Sequence, residues 1–275
     1  MCIRDSGFAA AEVLSASGAI TINGGTLGIV AGDGATTTLG ATASTSASGD
    51  ITLIGDNYWG SSTAVNVKTS GTVLIKSAAQ QFSGAITINN HTFSGHTSLT
   101  VGRSTNQRNV TLTGGSVSVV NDYTVYGGAI TQTSNVTSSA GSIYMYPTGA
   151  FSGAGSLTSS EGTVRVTGGT SVDPTGAIQA YSNVVLRGSG QITTATNATI
   201  TSRTGLVEVT TSGGLVTLGK DVTANGSIAV SLTGAYSGAG TLTATTGTIS
   251  LSGGTSVAPT GAFTAAGNIT ISGSA

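Results

Sequence analysis

Cysteine is almost missing from this sequence, the one copy being Cys2, so no intramolecular disulfide framework can staple the chain. Charge is nearly as scarce: 9 Lys and Arg and 10 Asp and Glu are scattered singly along 275 residues. That leaves no basic stripe for nucleic acid and none for an anionic membrane surface. Apolar runs stop at four or five residues, as in Ile51 to Ile54, far short of the roughly 20 that a membrane-spanning helix needs, so no transmembrane segment is expected. Proline (3), methionine (2) and aromatic residues (5%) are few, and a core must therefore be narrow and built from small aliphatic side chains. Low charge combined with low apolar content would signal disorder, but 38% of the residues are hydrophobic, enough to bury a core.

The first six residues, MCIRDS, match a sequencing-library transposon-end adapter translated in frame (ATG-TGT-ATA-AGA-GAC-AG) and are set apart from the natural segment, 7–275. Without them the chain has no cysteine, a composition compatible with an exported bacterial protein. The segment is expected to be a fragment truncated at both ends.

What the sequence does contain is glycine, 43 residues, and serine plus threonine, 85 residues, arranged in repeats. Residues 151–190 align with 236–275 at a constant offset of 85, with 21 identities in 40 and the shared words SGAG, GGTSV and PTGA. A finer period lies inside the long one, a small residue followed by alternating aliphatic positions. It begins at Gly141 (GSIYM), Gly162 (GTVRV), Ser182 (SNVVL), Gly205 (GLVEV), Gly226 (GSIAV), Gly247 (GTISL) and Gly267 (GNITI), at spacings of 21, 20, 23, 21, 21 and 20. Upstream, similar words at Gly18, Gly49, Gly71, Gly84, Arg108 and Gly128 are spaced irregularly, and 31–48 and 91–108 are expected to be longer excursions.

Alternation bounded by glycine is the signature of a strand with one buried face. A constant repeat of about 21 residues, with further short strands such as GTSV and GAIQA between the words, favours a coil in which each strand stacks in parallel on its equivalent one turn later. The expected fold is an all-β, parallel, right-handed β-solenoid with four turns per 85-residue unit. A left-handed solenoid would carry a hexapeptide rhythm, and a calcium-binding RTX type would carry tandem Gly-Gly-x-Gly-x-Asp words; neither is present. Inward pairs are expected at Ile143/Met145, Val164/Val166, Val184/Leu186, Val207/Val209, Ile228/Val230, Ile249/Leu251 and Ile269/Ile271. Tyr144, Arg165, Val185, Glu208, Ala229, Ser250 and Thr270 should point out, with Tyr144 and Arg165 adjacent on one face.

Words such as GTISLSGGTSV and GNITISGS recur over nearly all of 7–275. They resemble the β-helical repeat regions of large bacterial exoproteins, meaning filamentous-haemagglutinin-like adhesins and autotransporter passengers. The resemblance implies a structural and adhesive stalk, extracellular or on the bacterial cell surface, with surface glycans or other cells as partners and no cofactor. Two other classes compete with it. An ice-binding solenoid is suggested by the Thr-x-Thr pairs at 194/196, 199/201, 241/243 and 243/245, and a polysaccharide-degrading β-helix by the general architecture.

Catalysis needs a placed acid, base and stabiliser. Of Glu12, Asp33, Asp50, Asp56, Asp122, Glu161, Asp173, Glu208 and Asp221, no two lie within five residues of each other, so no catalytic residue and no metal site is expected. His91 and His96 in HTFSGH lack a Cys or a nearby acid to complete a zinc set and are expected to be exposed loop residues. Tyr58 and Trp59 in GDNYWG are the candidates for stacking on a sugar ring, against the simpler role of covering the end of the core. The Asn-x-Ser/Thr sites at Asn90, Asn109, Asn135, Asn197, Asn225 and Asn268 are about what composition alone supplies. Asn183 and Asn268 fit corners where their side chains bond the backbone. Open strand edges at both ends of a cut solenoid predict end-to-end self-association.

Overall fold

The computed structural model describes residues 49–55, 65–77, 79–89 and 91–273, together with the backbone of short strands at Cys2–Ile3, Phe8–Ala10, Val13–Leu14, Ile20–Asn23, Ile29–Ala31, Thr37–Gly40 and Tyr58–Trp59. No helix occurs among the described residues. The chain divides into two compact units, Met1–Ser139 and Ala140–Ala275, both built from parallel β-coils with three strands per turn.

In the second unit the first face is formed by Ile143–Pro147, Val164–Thr167, Val184–Gly188, Val207–Thr211, Ile228–Leu232, Ile249–Gly253 and Ile269–Ser272, every pair parallel. The residue registers run Ile143, Val164, Val184, Val207, Ile228, Ile249, Ile269, reproducing the spacing of the sequence words step for step. The second face carries Ala150–Gly153, Ser171–Pro174, Gln191–Thr194, Val216–Leu218, Ala235–Gly238 and Ser256–Pro259. The third carries Leu157–Ser159, Ile178–Ala180, Ile200–Ser202, Val222–Ala224, Leu242–Ala244 and Phe263–Ala265. GTSV and GAIQA are thus the second-face and third-face strands of one coil.

Each face sends an apolar column inward: Ile143 to Ile249 and Met145 to Leu251 on the first, Phe151, Val172, Ile192, Val216 and Tyr236 on the second, Leu157, Ile178, Ile200, Val222 and Leu242 on the third, all buried. Backbone N–H groups donate to the next coil, as in Val164 N to Asn183 O (3.0 Å) and Val207 N to Ser227 O (3.0 Å), so ladder bonds and packing share one register.

The 85-residue repeat is four such steps. Phe151 reaches Tyr236 through Val172, Ile192 and Val216. Pro174 pairs with Gly153 as Pro259 pairs with Gly238. Asn183 reaches Asn268 through Leu206, Ser227 and Thr248, each carbonyl accepting from the preceding coil. The GG repeated in the two GGTSV words has a backbone cause. Gly168, Gly169, Gly253 and Gly254 all take positive φ (104°, 85°, 82° and 88°), and a β-carbon at Gly169 would run into the Gly149 carbonyl.

Two of the expected burial assignments need correction. Ile269 and Ile271 hold their register on Ile249 and Leu251 but are 44% and 48% exposed, because no strand lies on their far side among the described residues. Val185, expected to point into solvent, is only 4% exposed. Its ladder neighbours are Arg165 and Glu208, side chains whose stems are long enough to lie over a residue between them.

In the first unit the first-face strands include Ile51–Ile54, Thr72–Lys76, Ser98–Val101 and Tyr123–Gly127, in the register Ile51, Val73, Leu99, Tyr123. The words at Gly84, Arg108 and Gly128 lie instead on the second face, as Ile86–Asn89, Val110–Thr113 and Ile130–Gln132. The excursion expected over 91–108 does not exist in that form. It contains the third-face strand His91–His96 and the first-face strand Ser98–Val101. Only a corner, Gly102 to Asn109, is long, and Asn106 fills it. That side chain is buried, donates Nδ2–H to Tyr126 O (2.9 Å) and Arg108 O (3.3 Å), and accepts at Oδ1 from Arg108 N (3.2 Å) and Phe82 N (3.4 Å). The expected excursion over 31–48 contains the strand Thr37–Gly40, paired with Val65–Lys68, and otherwise lies outside the described residues.

Candidate functional site

Three carboxylates, Asp50, Glu208 and Asp221, serve the scaffold. Asp50 Oδ1 accepts from Thr72 N (2.8 Å) and Asp221 Oδ1 from Thr241 N (3.0 Å), each tying one coil to the next, and these bonds hold both groups below the usual Asp range. Asn183 does the same for Leu206 N (2.9 Å), the corner role expected of it, and Asn109, not singled out for a corner, does so for Ala129 N (2.9 Å). Glu208 is clamped by Arg187 through Nε (2.7 Å) and Nη2 (3.0 Å) and also accepts from the Thr210 hydroxyl (3.0 Å), so its pKa is lowered, chiefly by the Arg187 bond. Among the described residues no three of His, Cys, Asp or Glu gather into a group that would hold a metal ion. Glu12, Asp33 and Asp56 lie outside the described residues.

The histidines are not loop residues. Both sit in the strand His91–His96, whose register slips between Ser94 and His96 at Gly95, φ 76°. This bulge adds one residue and so turns His96 to the same inner side as Phe93, which strict alternation would forbid. His96 is fully buried, with its ring edge-on to Phe93 at 6.0 Å and Nδ1 3.2 Å from Thr69 O, while Nε2 has no partner. Burial lowers its pKa to about 4, so at neutral pH the ring is uncharged. His91 stacks on Phe93 at 5.8 Å, with Nδ1 2.6 Å from Asn89 O. The sequence clue was the Gly at 95 inside an otherwise alternating word.

Tyr58 and Trp59 form a short strand beside Ile29–Ala31. Their side chains lie outside the described residues, so the sugar-stacking expectation is left without a geometry. A different aromatic cluster stands on the first face of the second unit. Tyr144 and Tyr146 point outward from Ile143–Pro147 with rings parallel to within 10° and centroids 6.1 Å apart. On the next rung Arg165 is the register partner of Tyr144, as the spacing of the words requires, although Tyr144 takes Tyr146 as its stacking partner. Arg165 Nε and Thr167 Oγ1, both on that rung, are buried atoms without a hydrogen-bond partner. Sequence reasoning singled out Tyr144 and Arg165 but missed Tyr146, which the period-2 rule places on the same side.

The third face of the second unit shows an outward column that the aliphatic words did not reveal: Thr158, Gln179, Thr201, Thr223, Thr243 and Thr264. The companion column, two residues earlier on each rung, is Ser156, Ala177, Thr199, Asp221, Thr241 and Ala262, as the carbonyl ladder shows from Ala177 onward. Thr-x-Thr pairs are therefore complete on only two of these rungs. No protein-family model, no curated protein and no solved structure matches this chain.

Proposed function

We propose that this chain is a structural and adhesive stalk segment of a bacterial surface-exposed or secreted protein, a non-catalytic scaffold whose outer faces meet surface glycans or other cells. The observation that carries the reading is the second unit itself. Its rungs keep one register from Ile143 to Ile269, its interior is filled by apolar columns, and its carboxylates with resolved bonds are spent on corners or on Arg187. Such a scaffold multiplies shallow, equivalent binding surfaces, and weak contacts repeated along it add up through avidity. End-to-end self-association of the isolated chain belongs to the same reading, supported by the exposed Ile269 and Ile271 on a strand paired on one side.

The test is adhesion of the purified chain, singly and coupled to beads, to arrays of neutral and acidic glycans and to whole cells, alongside turnover assays on the same polysaccharides. Binding that rises steeply with valency and is unaccompanied by cleavage supports the proposal; turnover abolished by one carboxylate substitution overturns it. The threonine column gives the ice-binding alternative one specific observation. Thermal hysteresis at micromolar protein would favour it over adhesion.

A further inference from the structure

Resting on the adhesive reading, we infer that the first face of the second unit carries an anionic-oligosaccharide site formed by Tyr144, Tyr146 and Arg165. Three features converge there. Tyr144 and Tyr146 present a pair of stacked, parallel rings, 6.1 Å apart, that are neither buried nor fully exposed, an apolar surface against which the C–H face of a pyranose ring can pack. One rung away, about 4.8 Å along the ladder, Arg165 stands directly opposite Tyr144. Its Nε is sequestered from solvent with no acceptor, and so is the Thr167 hydroxyl two residues on. The protein thus gives the Arg165 Nε no acceptor of its own.

Charge selects the ligand. Glu208, two rungs beyond Arg165 in the register, feels its charge, but both of its oxygens are occupied, by Arg187 at 2.7 and 3.0 Å and by Thr210 at 3.0 Å. The pair Arg187–Glu208 is neutral as a unit, and the guanidinium of Arg165 is left as net positive charge beside the tyrosines. A guanidinium offers a planar fork suited to a carboxylate, and an aromatic platform with an adjacent fork suits a carboxylated sugar chain. One sugar would pack against the tyrosines while the carboxylate of the same or the next residue pairs with the Arg165 guanidinium.

The experiment titrates the full chain with oligogalacturonate and with the same oligomer as its neutral methyl ester, by calorimetry at two salt concentrations. The wild type should bind the acid form at least 10-fold more tightly than the ester, and less tightly at high salt. Arg165→Gln should remove that preference, Arg165→Lys should keep part of it, and Tyr144→Ala with Tyr146→Leu should weaken both ligands. An unchanged thermal midpoint and an unchanged β-sheet circular dichroism spectrum establish that each variant folds. Equal binding of acid and ester, or no binding of either, overturns the inference. Binding that survives Arg165→Gln but is lost in Trp59→Ala overturns the location while leaving adhesion standing. Failure of the wild type on every glycan and cell surface defeats the adhesive reading as well.

Discussion

The two units solve one problem, stacking parallel strands around a thin core, with different tolerance for the length of a turn. In the second unit first-face positions advance by 20 to 23 residues per coil, as from Val164 to Val184 and from Val184 to Val207, and the corners are closed by small residues. Ser159 Oγ reaches Gly141 O at 2.7 Å and Ser202 Oγ bonds Ser182 O. In the first unit the advance is uneven, from Ile51 to Val73, Leu99 and Tyr123, and the extra chain has to be filled. Polar side chains do the filling: Asn106 at one corner, His96 at a bulge, and Gln132, which accepts from the buried Tyr123 hydroxyl at 3.0 Å and donates to Ser134 O at 2.8 Å. A constant repeat lets short aliphatic words and glycine specify the coil. A slipping repeat needs individual hydrogen-bonded keystones, and each of them is a point of failure.

The largest expected effect is therefore at a keystone of the first unit. Asn106→Ala leaves the backbone groups of Phe82, Arg108 and Tyr126 without their side-chain partner and should cost about 4 kcal/mol, read as the loss of urea midpoint with unchanged slope. Ser159→Ala in the second unit, which removes one corner hydroxyl, should cost about 1 kcal/mol. Equal losses at the two sites would erase the distinction.

Acid should separate the units next. Unfolded His96 takes up a proton below about pH 6.5, while the buried ring resists until about 4. The unfolded state thus binds more protons in that window, and stability contributed by the neutral ring falls as pH drops from 6.5 towards 4, by as much as about 3 kcal/mol. Both histidines of the chain lie in the first unit. Hydrogen exchange followed by peptide mapping should show 91–119 losing protection between pH 6.5 and 4.5 while 164–252 keeps its own, and His96→Phe should flatten the difference. Parallel losses in both regions would point to the carboxylates instead.

Tyr236 offers a change in the opposite direction. Its hydroxyl is buried without a partner and burial raises its pKa to about 12, whereas four rungs earlier the same column carries Phe151. Tyr236→Phe should stabilise the second unit by about 1 kcal/mol, measured by denaturant unfolding. A loss of stability would mean that the hydroxyl is satisfied. The smallest effect belongs to Arg187 and Glu208. With the arginine about half exposed (47%), a double-mutant cycle should give only about 0.5 kcal/mol, falling with added salt.

The same contrast explains what could be read from residues alone. GSIYM, GTVRV and their successors keep a strict alternation and a near-constant step, so the solenoid, the inward pairs up to Leu251 and the pairing of Tyr144 with Arg165 were all legible. In the first unit GAITI at Gly84 resembles GAITI at Gly18 letter for letter, yet the first lies on the second face and the second on the first face. A local word specifies a strand but not which side of the coil it occupies; that is set by the length of the corners before it. The third-face strands, three residues such as Leu157–Ser159, are too short to show a period, and the threonine column they carry stayed hidden. His96 escaped because a bulge breaks the alternation on which inward and outward assignments depend. Tyr146 was within reach, since it follows Tyr144 by two in an alternating word.

The central claim is the in-register parallel stack, and a single distance tests it most directly. Ser152 and Ser237 occupy equivalent second-face positions 85 residues apart, linked through Asp173, Thr193 and Thr217, the step from Asp173 to Thr193 following from the Val172–Ile192 register beside it. Spin labels attached at Ser152→Cys and Ser237→Cys, with Cys2→Ser to remove the other thiol, should give one narrow distance distribution in pulsed electron resonance. Its centre should lie near four rung spacings, about 19 Å, broadened by the label arms. A distribution centred beyond about 30 Å, or split among several distances, would contradict the stack.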